Sequence, residues 1–354
     1  MAVTVKREDG KVWIEGVPTL GWGKGRECTC CGALEAATAV TARPFGYDDL
    51  MGWSALAFRV RWYQGDTGQR WCPSSPVGEF PEEFAALQKA TGWELRGLMG
   101  AKGTPHMERH APEIVASINA GLPVPACEPR LNMDVVYGYE DGGNTLLMHD
   151  YFRGDEPLRL PASDLGFMAI LLGKQSAPLS QRDALVAGLR AAVFNWRRGK
   201  VAWSRGGYWY GDAGYAHWSE DLGKVGNLTE EERALLFFVS HWNYCSLEDA
   251  RRAAARFLKA RVPLLGGKAR AALERAAALY RKEGELLARP FGAKDAFLGQ
   301  WSGKTITEWA AAVRKHEQEI LSRARALEGQ AVSQIEAALE AEGVEVPATA
   351  GGDR

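Results

Sequence analysis

Three of the chain's six cysteines crowd into Glu27-Cys28-Thr29-Cys30-Cys31-Gly32, directly after a glycine-rich loop that runs from Gly16 to Gly25. A cysteine in the first turn of a helix has its thiolate stabilised by the positive end of the helix dipole and by amides without intrahelical partners. Cys28 takes that place if a helix starts where the loop ends, and Lys24 and Arg26 just upstream add positive charge. The chemistry this suits is nucleophilic attack by sulfur. The competing reading is that all three thiols pack in an apolar layer. Cys28-x-x-Cys31 also has the spacing of a metal or dithiol motif. Zinc needs a second ligand pair at short spacing, and only His106 and His110, four apart, are so placed. A dithiol oxidoreductase needs a thioredoxin-like βαβ start, which the sequence lacks. The expectation is therefore no metal and no cofactor.

A sulfur nucleophile needs a base. The stretch Asn132 to Tyr139, the turn Glu140 to Gly143 and the stretch Asn144 to Asp150 read as a hairpin, because Asp-Gly-Gly supplies the positive-φ positions of a tight turn. If Tyr139 pairs with Asn144, Asp134 falls opposite His149, and cross-strand neighbours lie about 4.5–5.5 Å apart at Cβ. His149 would then be the base and Asp134 its orienting acid. A one-residue slip would send His149 to the other face. The 13 tryptophans are the remaining resource. Trp22, Trp53, Trp71 and Trp209 are candidates for stacking on a substrate, in a cleft between two domains. Packing in the core is the other use of such rings.

The elements that must position these groups change character near residue 175. Before it, short apolar runs alternate with Gly/Pro turns. Lys11 to Ile14 reads as a strand, Cys28 to about Thr41 as a helix, and Leu56 to Tyr63 as a strand by its alternation. A turn at Gly65 to Gly68 returns the chain to Arg70 to Cys72. Pro81 to Thr91 is a helix with proline at its first position. Thr104 to Ala120 is mostly helical and stops at Gly121. Leu158 to Leu160 and Phe167 to Leu172 extend the sheet. After residue 175 the chain is helical. Ser180 and Asp212 cap helices reaching about Arg198 and Leu222, and Thr229 to Glu232 is a capping box. Ser246 starts a further helix that ends before Pro263, and two longer helices follow near 266–288 and 303–342. The expected organisation is a domain over 1–175, an all-α helical domain over 176–345, and a disordered tail over 346–354.

The stretch Gly25-Arg-Glu-Cys28-Thr-Cys-Cys-Gly-Ala-Leu34 resembles the nucleophile helix of papain-like cysteine proteins. Ile118 to Val124 and the hairpin Val135 to Asp150 resemble the matching later strands, in the order found in bacteriocin-leader peptidases. Phe45-Gly-Tyr-Asp-Asp-Leu50 and the residues after it, to Phe58, resemble a branch that includes the acyl transferase of butirosin biosynthesis, whose members commonly carry an extra helical region. The resemblance covers roughly residues 12–175. It implies an α+β papain-like fold with Cys28 as nucleophile and Asp150 in the place of the orienting acid. Two family features are replaced. The imidazole's place, about six residues before Gly138, holds Asn132, Met133 and Asp134, and the oxyanion donor's place before the nucleophile holds Trp22.

The functional expectation is a thiol-dependent acyl transferase or amide hydrolase, with backbone amides at the helix start facing the oxyanion. The alternative is a catalytically inactive papain-like module that binds a peptide or small molecule. The expected partner is a small-molecule, peptide or acyl-carrier substrate, with a second copy of the chain as a further candidate through the apolar stripe of the last helix. The 43 basic and 44 acidic residues give a net charge of −1, which supplies no basic surface for nucleic acid. No apolar run reaches the length of about 18–20 residues that a membrane span requires. The first ten residues lack the apolar core of a signal peptide, so the expected location is cytoplasmic.

Overall fold

The computed structural model describes residues 3–65, 71, 80–100, 108–130, 132–203, 206–289 and 309–348. The expected turn at 65–68, the return strand to Cys72, His106 and most of the C-terminal tail lie outside the described residues. The chain is a mixed α+β protein with a helical C-terminal region. It divides into two compact units, one of Met1–Leu50 with Phe84–Ser180, the other of Met51–Glu83 with Gln181–Arg354. Residues 51–83, which the sequence reading assigned to the first domain, thus go with the second unit.

The first unit contains strands β1 (Val5–Glu8) and β2 (Lys11–Ile14), helix α1 (Thr29–Ala39) and the start of helix α2 (Tyr47–Trp53). Strand β3 (Arg61–Gly65) lies in the second unit, and helix α3 (Phe80–Thr91) straddles the boundary at Glu83. The first unit resumes with β4 (Trp93–Met99), α4 (Ala111–Asn119), β5 (Val124–Cys127), β6 (Met133–Glu140), β7 (Thr145–His149), β8 (Leu158–Pro161) and β9 (Met168–Gln175). Its eight strands make one antiparallel sheet in the order β1-β2-β6-β5-β9-β4, with β7 on β6 and β8 on β7. β6 is shared by three neighbours because β2 meets only its Gly138–Tyr139 end. A Cβ at Gly138 would stand 2.6 Å from the Val12 carbonyl oxygen, so glycine is what lets β2 approach there.

α1 is buried nearly all round by small residues, Cys30, Cys31, Gly32, Ala33, Ala36 and Ala37 among them, as befits a helix inside a domain rather than on its surface. It packs on β5 and β6. α4 ends where expected, with Gly121 at φ +79°.

The second unit contains α5 (Gln181–Arg197), β10 (Lys200–Trp203), β11 (Gly206–Tyr210), α6 (Gly211–Gly223), α7 (Glu230–Arg261), α8 (Gly267–Ala288) and α9 (Ala311–Ala341). β10, β11 and β3 form a three-stranded antiparallel sheet that the sequence reading missed. Leu56–Phe58 is a 3-10 turn entered through Ala55 at φ +60°, so the expected strand begins only at Arg61. The two helices expected on either side of Ser246 are one, α7, whose first turn carries the complete Thr229–Glu232 capping box. Its core includes Trp62, Trp71, Trp218, Tyr244, Leu287 and Leu321. One carboxylate oxygen of buried Asp221 accepts from the indoles of Trp62 (2.8 Å) and Trp71 (3.0 Å) and from Gln64 (3.0 Å). Buried Arg251 on α7 ties Glu283 of α8 and Glu328 of α9 to the carbonyls of Ala57 and Arg59. Among the described residues no helix is long and apolar enough to cross a membrane.

Candidate functional site

Cys28 is the residue just before the first turn of α1 and is 6 % exposed. Its carbonyl accepts the first helical bond, from the Gly32 amide at 3.0 Å. Its own amide donates to the Tyr47 hydroxyl at 2.9 Å. That amide is therefore already engaged and does not face an oxyanion. Tyr47 is in turn fixed through its backbone N–H, which donates to Glu35 (3.0 Å), and Glu35 accepts both ends of the Arg26 guanidinium (2.8 and 3.1 Å). The Tyr151 hydroxyl donates to the Arg26 carbonyl at 3.1 Å. The phenol reaches that carbonyl only because residue 32 is glycine. A Cβ there would stand 2.0 Å from the Tyr151 oxygen.

The Thr29 hydroxyl accepts from the Met133 amide at 3.0 Å. This bond pins the start of α1 to the start of β6 and sets Cys28 and Asp134 on the two flanks of a bonded pair. Asp134 is fully buried, and neither carboxylate oxygen has a side-chain hydrogen-bond partner among the described residues. Burial pushes its pKa up to about 8, reinforced by the Glu128 and Asp150 carboxylates and partly offset by the Tyr151 backbone and Arg130. Glu128 is held by Arg130 (2.8 Å) and by both nitrogens of Asn132. Asp150 accepts the amides of Phe152 (3.0 Å) and Arg153 (2.7 Å), so it shapes the turn after β7, with the Arg153 and Arg130 guanidiniums at 3.4 and 3.6 Å. Burial also drives the Tyr151 phenol well above its usual range, with Cys28, Asp134, Glu27 and Cys31 adding to the rise. Tyr151 thus lies within electrostatic reach of both Cys28 and Asp134.

The expected His149–Asp134 pair does not form. At the turn end Tyr139 faces Leu146 rather than Asn144, two residues beyond the expected register, and an irregularity between Val136 and Gly138 takes back one residue, so that His149 is opposite Val135 rather than Asp134. Successive strand residues face opposite sides, so His149 lies on the face away from Asp134. Its ring stacks on Tyr137 at 4.3 Å, and burial lowers its pKa. Cys127, on the strand beside Asp134, has its thiol pushed up to about 12 by burial and then by that carboxylate.

The four tryptophans divide between the units. Trp22 is half-buried in the first, its ring 4.8 Å from Tyr151 and 6.1 Å from the exposed Phe152. The other three belong to the second. Trp53 and Trp71 are 3 % and 4 % exposed, so neither offers a ring face to a ligand. Half-buried Trp209 stacks on His217 at 4.0 Å and donates to Gln64. Tyr47, Tyr151 and Glu128 escaped the sequence reading. The signal available for Tyr151 was Gly32, a glycine in a buried helix where nothing local calls for one. Among the described residues no group of three His, Cys, Asp or Glu side chains is arranged to hold a metal ion. His110, the described member of the His106/His110 pair, hydrogen-bonds Glu113 at 3.0 Å instead.

No protein-family model matches the chain, and no curated protein is significantly similar to it.

Proposed function

We propose that the first unit is a papain-like domain that works as a thiol-dependent acyl transferase or amide hydrolase, with Cys28 as nucleophile and Asp134 as its proton acceptor. The observation that carries this reading is the buried Asp134 carboxyl, which has no side-chain hydrogen-bond partner among the described residues, beside the helix that Cys28 opens. Such a group costs stability wherever it has no use, and sites of chemistry are where it is retained. Once ionised, as pH rises through about 8, Asp134 takes the Cys28 proton as sulfur attacks the acyl carbonyl. It returns the proton to the departing amine, alcohol or thiol, leaving a thioester on Cys28. Water or an acceptor nucleophile then releases the acyl group, and its proton restores the thiol by the reverse path. Asp134 thus assumes the imidazole's role rather than that of an orienting acid.

The second reading, a catalytically silent module that binds a peptide or small molecule, is favoured by the engaged Cys28 amide and by the displaced His149. The pH profile of Cys28 alkylation, read by tandem mass spectrometry in a Cys30→Ser/Cys31→Ser background, separates the two. The acyl-transfer reading expects labelling that rises with the ionisation of Asp134 near pH 8 and slows about a hundredfold in Asp134→Asn, the low end for loss of a general base. Labelling confined to pH above about 8.5 and indifferent to Asp134 would leave only the binding module.

A further inference from the structure

The residue that precedes a helix normally turns its side chain onto the first-turn amides. Thr229, whose side chain does cap α7, has φ −64° and ψ 166°. Cys28 has φ −81° and ψ 93°, and its side chain caps nothing. Rotation about its Cα–C bond moves N and Cβ together relative to α1. Whatever fixes the Cys28 amide therefore fixes the direction of the Cα–Cβ bond that carries the thiol. The Tyr47 hydroxyl does so at 2.9 Å from a ring that is 2 % exposed. The ring cannot follow a turning cysteine. Its backbone is tied to Glu35 of α1 itself, and Glu35 carries Arg26, whose guanidinium lies 5.6 Å above the phenol.

We propose that Tyr47 is the positioning residue of the Cys28 thiol: by holding the Cys28 amide it keeps the backbone short of the capping conformation and leaves the sulfur off the α1 amides. This rests on Cys28 being the nucleophile. It adds a division of labour, in which Asp134 handles the proton and Tyr47 the aim. Tyr47→Phe keeps the ring and removes the acceptor. Cys28 then relaxes into the capping rotation, where amide hydrogen bonds stabilise its thiolate and blunt it.

The test is the pH profile of Cys28 alkylation in the wild type and in Tyr47→Phe, site-resolved by mass spectrometry. In the variant the midpoint should fall by about one unit, as for thiolates at helix N-termini. The plateau rate should fall about threefold, since nucleophilicity follows thiol basicity with a slope near 0.4–0.5. A general loosening would raise the rate, move the midpoint towards the free-thiol value and expose buried Cys127 to label. That pattern, or an unchanged profile, overturns the proposal. A measurement on the wild type needs no variant to fold. Hydrogen exchange at the Cys28 amide should be as slow as at the Gly32 amide, which α1 protects, and fast exchange overturns the proposal as well. The Asp134→Asn result bears on the base alone. A thiol insensitive to Asp134 but shifted by Tyr47→Phe removes the base assignment and leaves the positioning role standing.

Discussion

Replacing Asp134 by asparagine should change how the first unit's stability depends on pH, by an amount that follows from the burial of one carboxyl. In the folded protein this group keeps its proton up to pH of about 8, whereas an exposed aspartate releases it near 3.9. Between those values the unfolded chain binds fewer protons than the folded one, so stability falls as pH rises. The contribution is fully present below about pH 4 and lost as pH rises through 8. Integrated from pH 5 to pH 8, one such group removes about 3–4 kcal/mol. The carboxamide does not titrate, so this part of the slope should vanish in Asp134→Asn. The slope is the quantity to read, because the carboxamide also brings N–H groups without partners and shifts the whole curve by about 1–3 kcal/mol. Urea titrations at pH 5 and pH 8, followed by pulsed proteolysis and quantification of peptides from residues 124–140, report on this unit alone. Equal pH slopes in the variant and the wild type would refute the reasoning. They would mean that Asp134 is ionised and satisfied in the folded state.

Two further perturbations test the packing. Gly32→Ala should destabilise the first unit by about 1–3 kcal/mol, because the new methyl meets the Tyr151 oxygen, and adding Tyr151→Phe should recover part of the loss, since the next ring atom is 3.4 Å away; urea titration of the two variants decides it. Arg251→Met should cost the second unit about 3–5 kcal/mol by stranding Glu283 and Glu328, and Arg251→Met/Glu283→Gln/Glu328→Gln should be much closer to the wild type in thermal unfolding than the single variant is.

Local signals in the sequence located most elements of the first unit, because they reside in a few residues each: Gly121 for the end of α4 and Asp141–Gly143 for the hairpin turn; in the second unit Thr229–Glu232 did the same for the start of α7. What escaped depends on distant partners. The hairpin turn was legible, but the irregularity around Tyr137 shifts the register by one residue, and that shift decides which face His149 occupies. Ser246 has the composition of a cap, yet residues on either side of it are buried along one continuous stripe, and tertiary packing prevails over a local stop. The alternation Phe58/Val60/Trp62 promised a strand with one polar face, but Arg59 and Arg61 are buried as well. Arg59 pairs with Glu83, and Arg61 lies over the Tyr208 ring. At the candidate site, Cys28, Asp134 and Asp150 could be named from residue types. That Asp134 lacks a side-chain partner, and that Tyr47 holds the Cys28 amide, could not, because both facts belong to residues far apart in the chain.

The interleaved connectivity of the two units bears on the order in which they can be made. Residues 51–83 leave the ribosome well before α5, whose first residue is Gln181, and the partners of Trp62 and Arg59 in the second unit, Asp221 and Arg251 among them, come later still. During synthesis the first unit can close its sheet once β9 emerges, while this apolar insert still waits for its helices. Newly made chain therefore passes through a stage with one unit complete and two tryptophans, Trp62 and Trp71, without their Asp221 acceptor. Cutting a clone at residue 180 would make that stage permanent. A separable version of the first unit has to be built instead by joining residue 50 to residue 84 through a short linker.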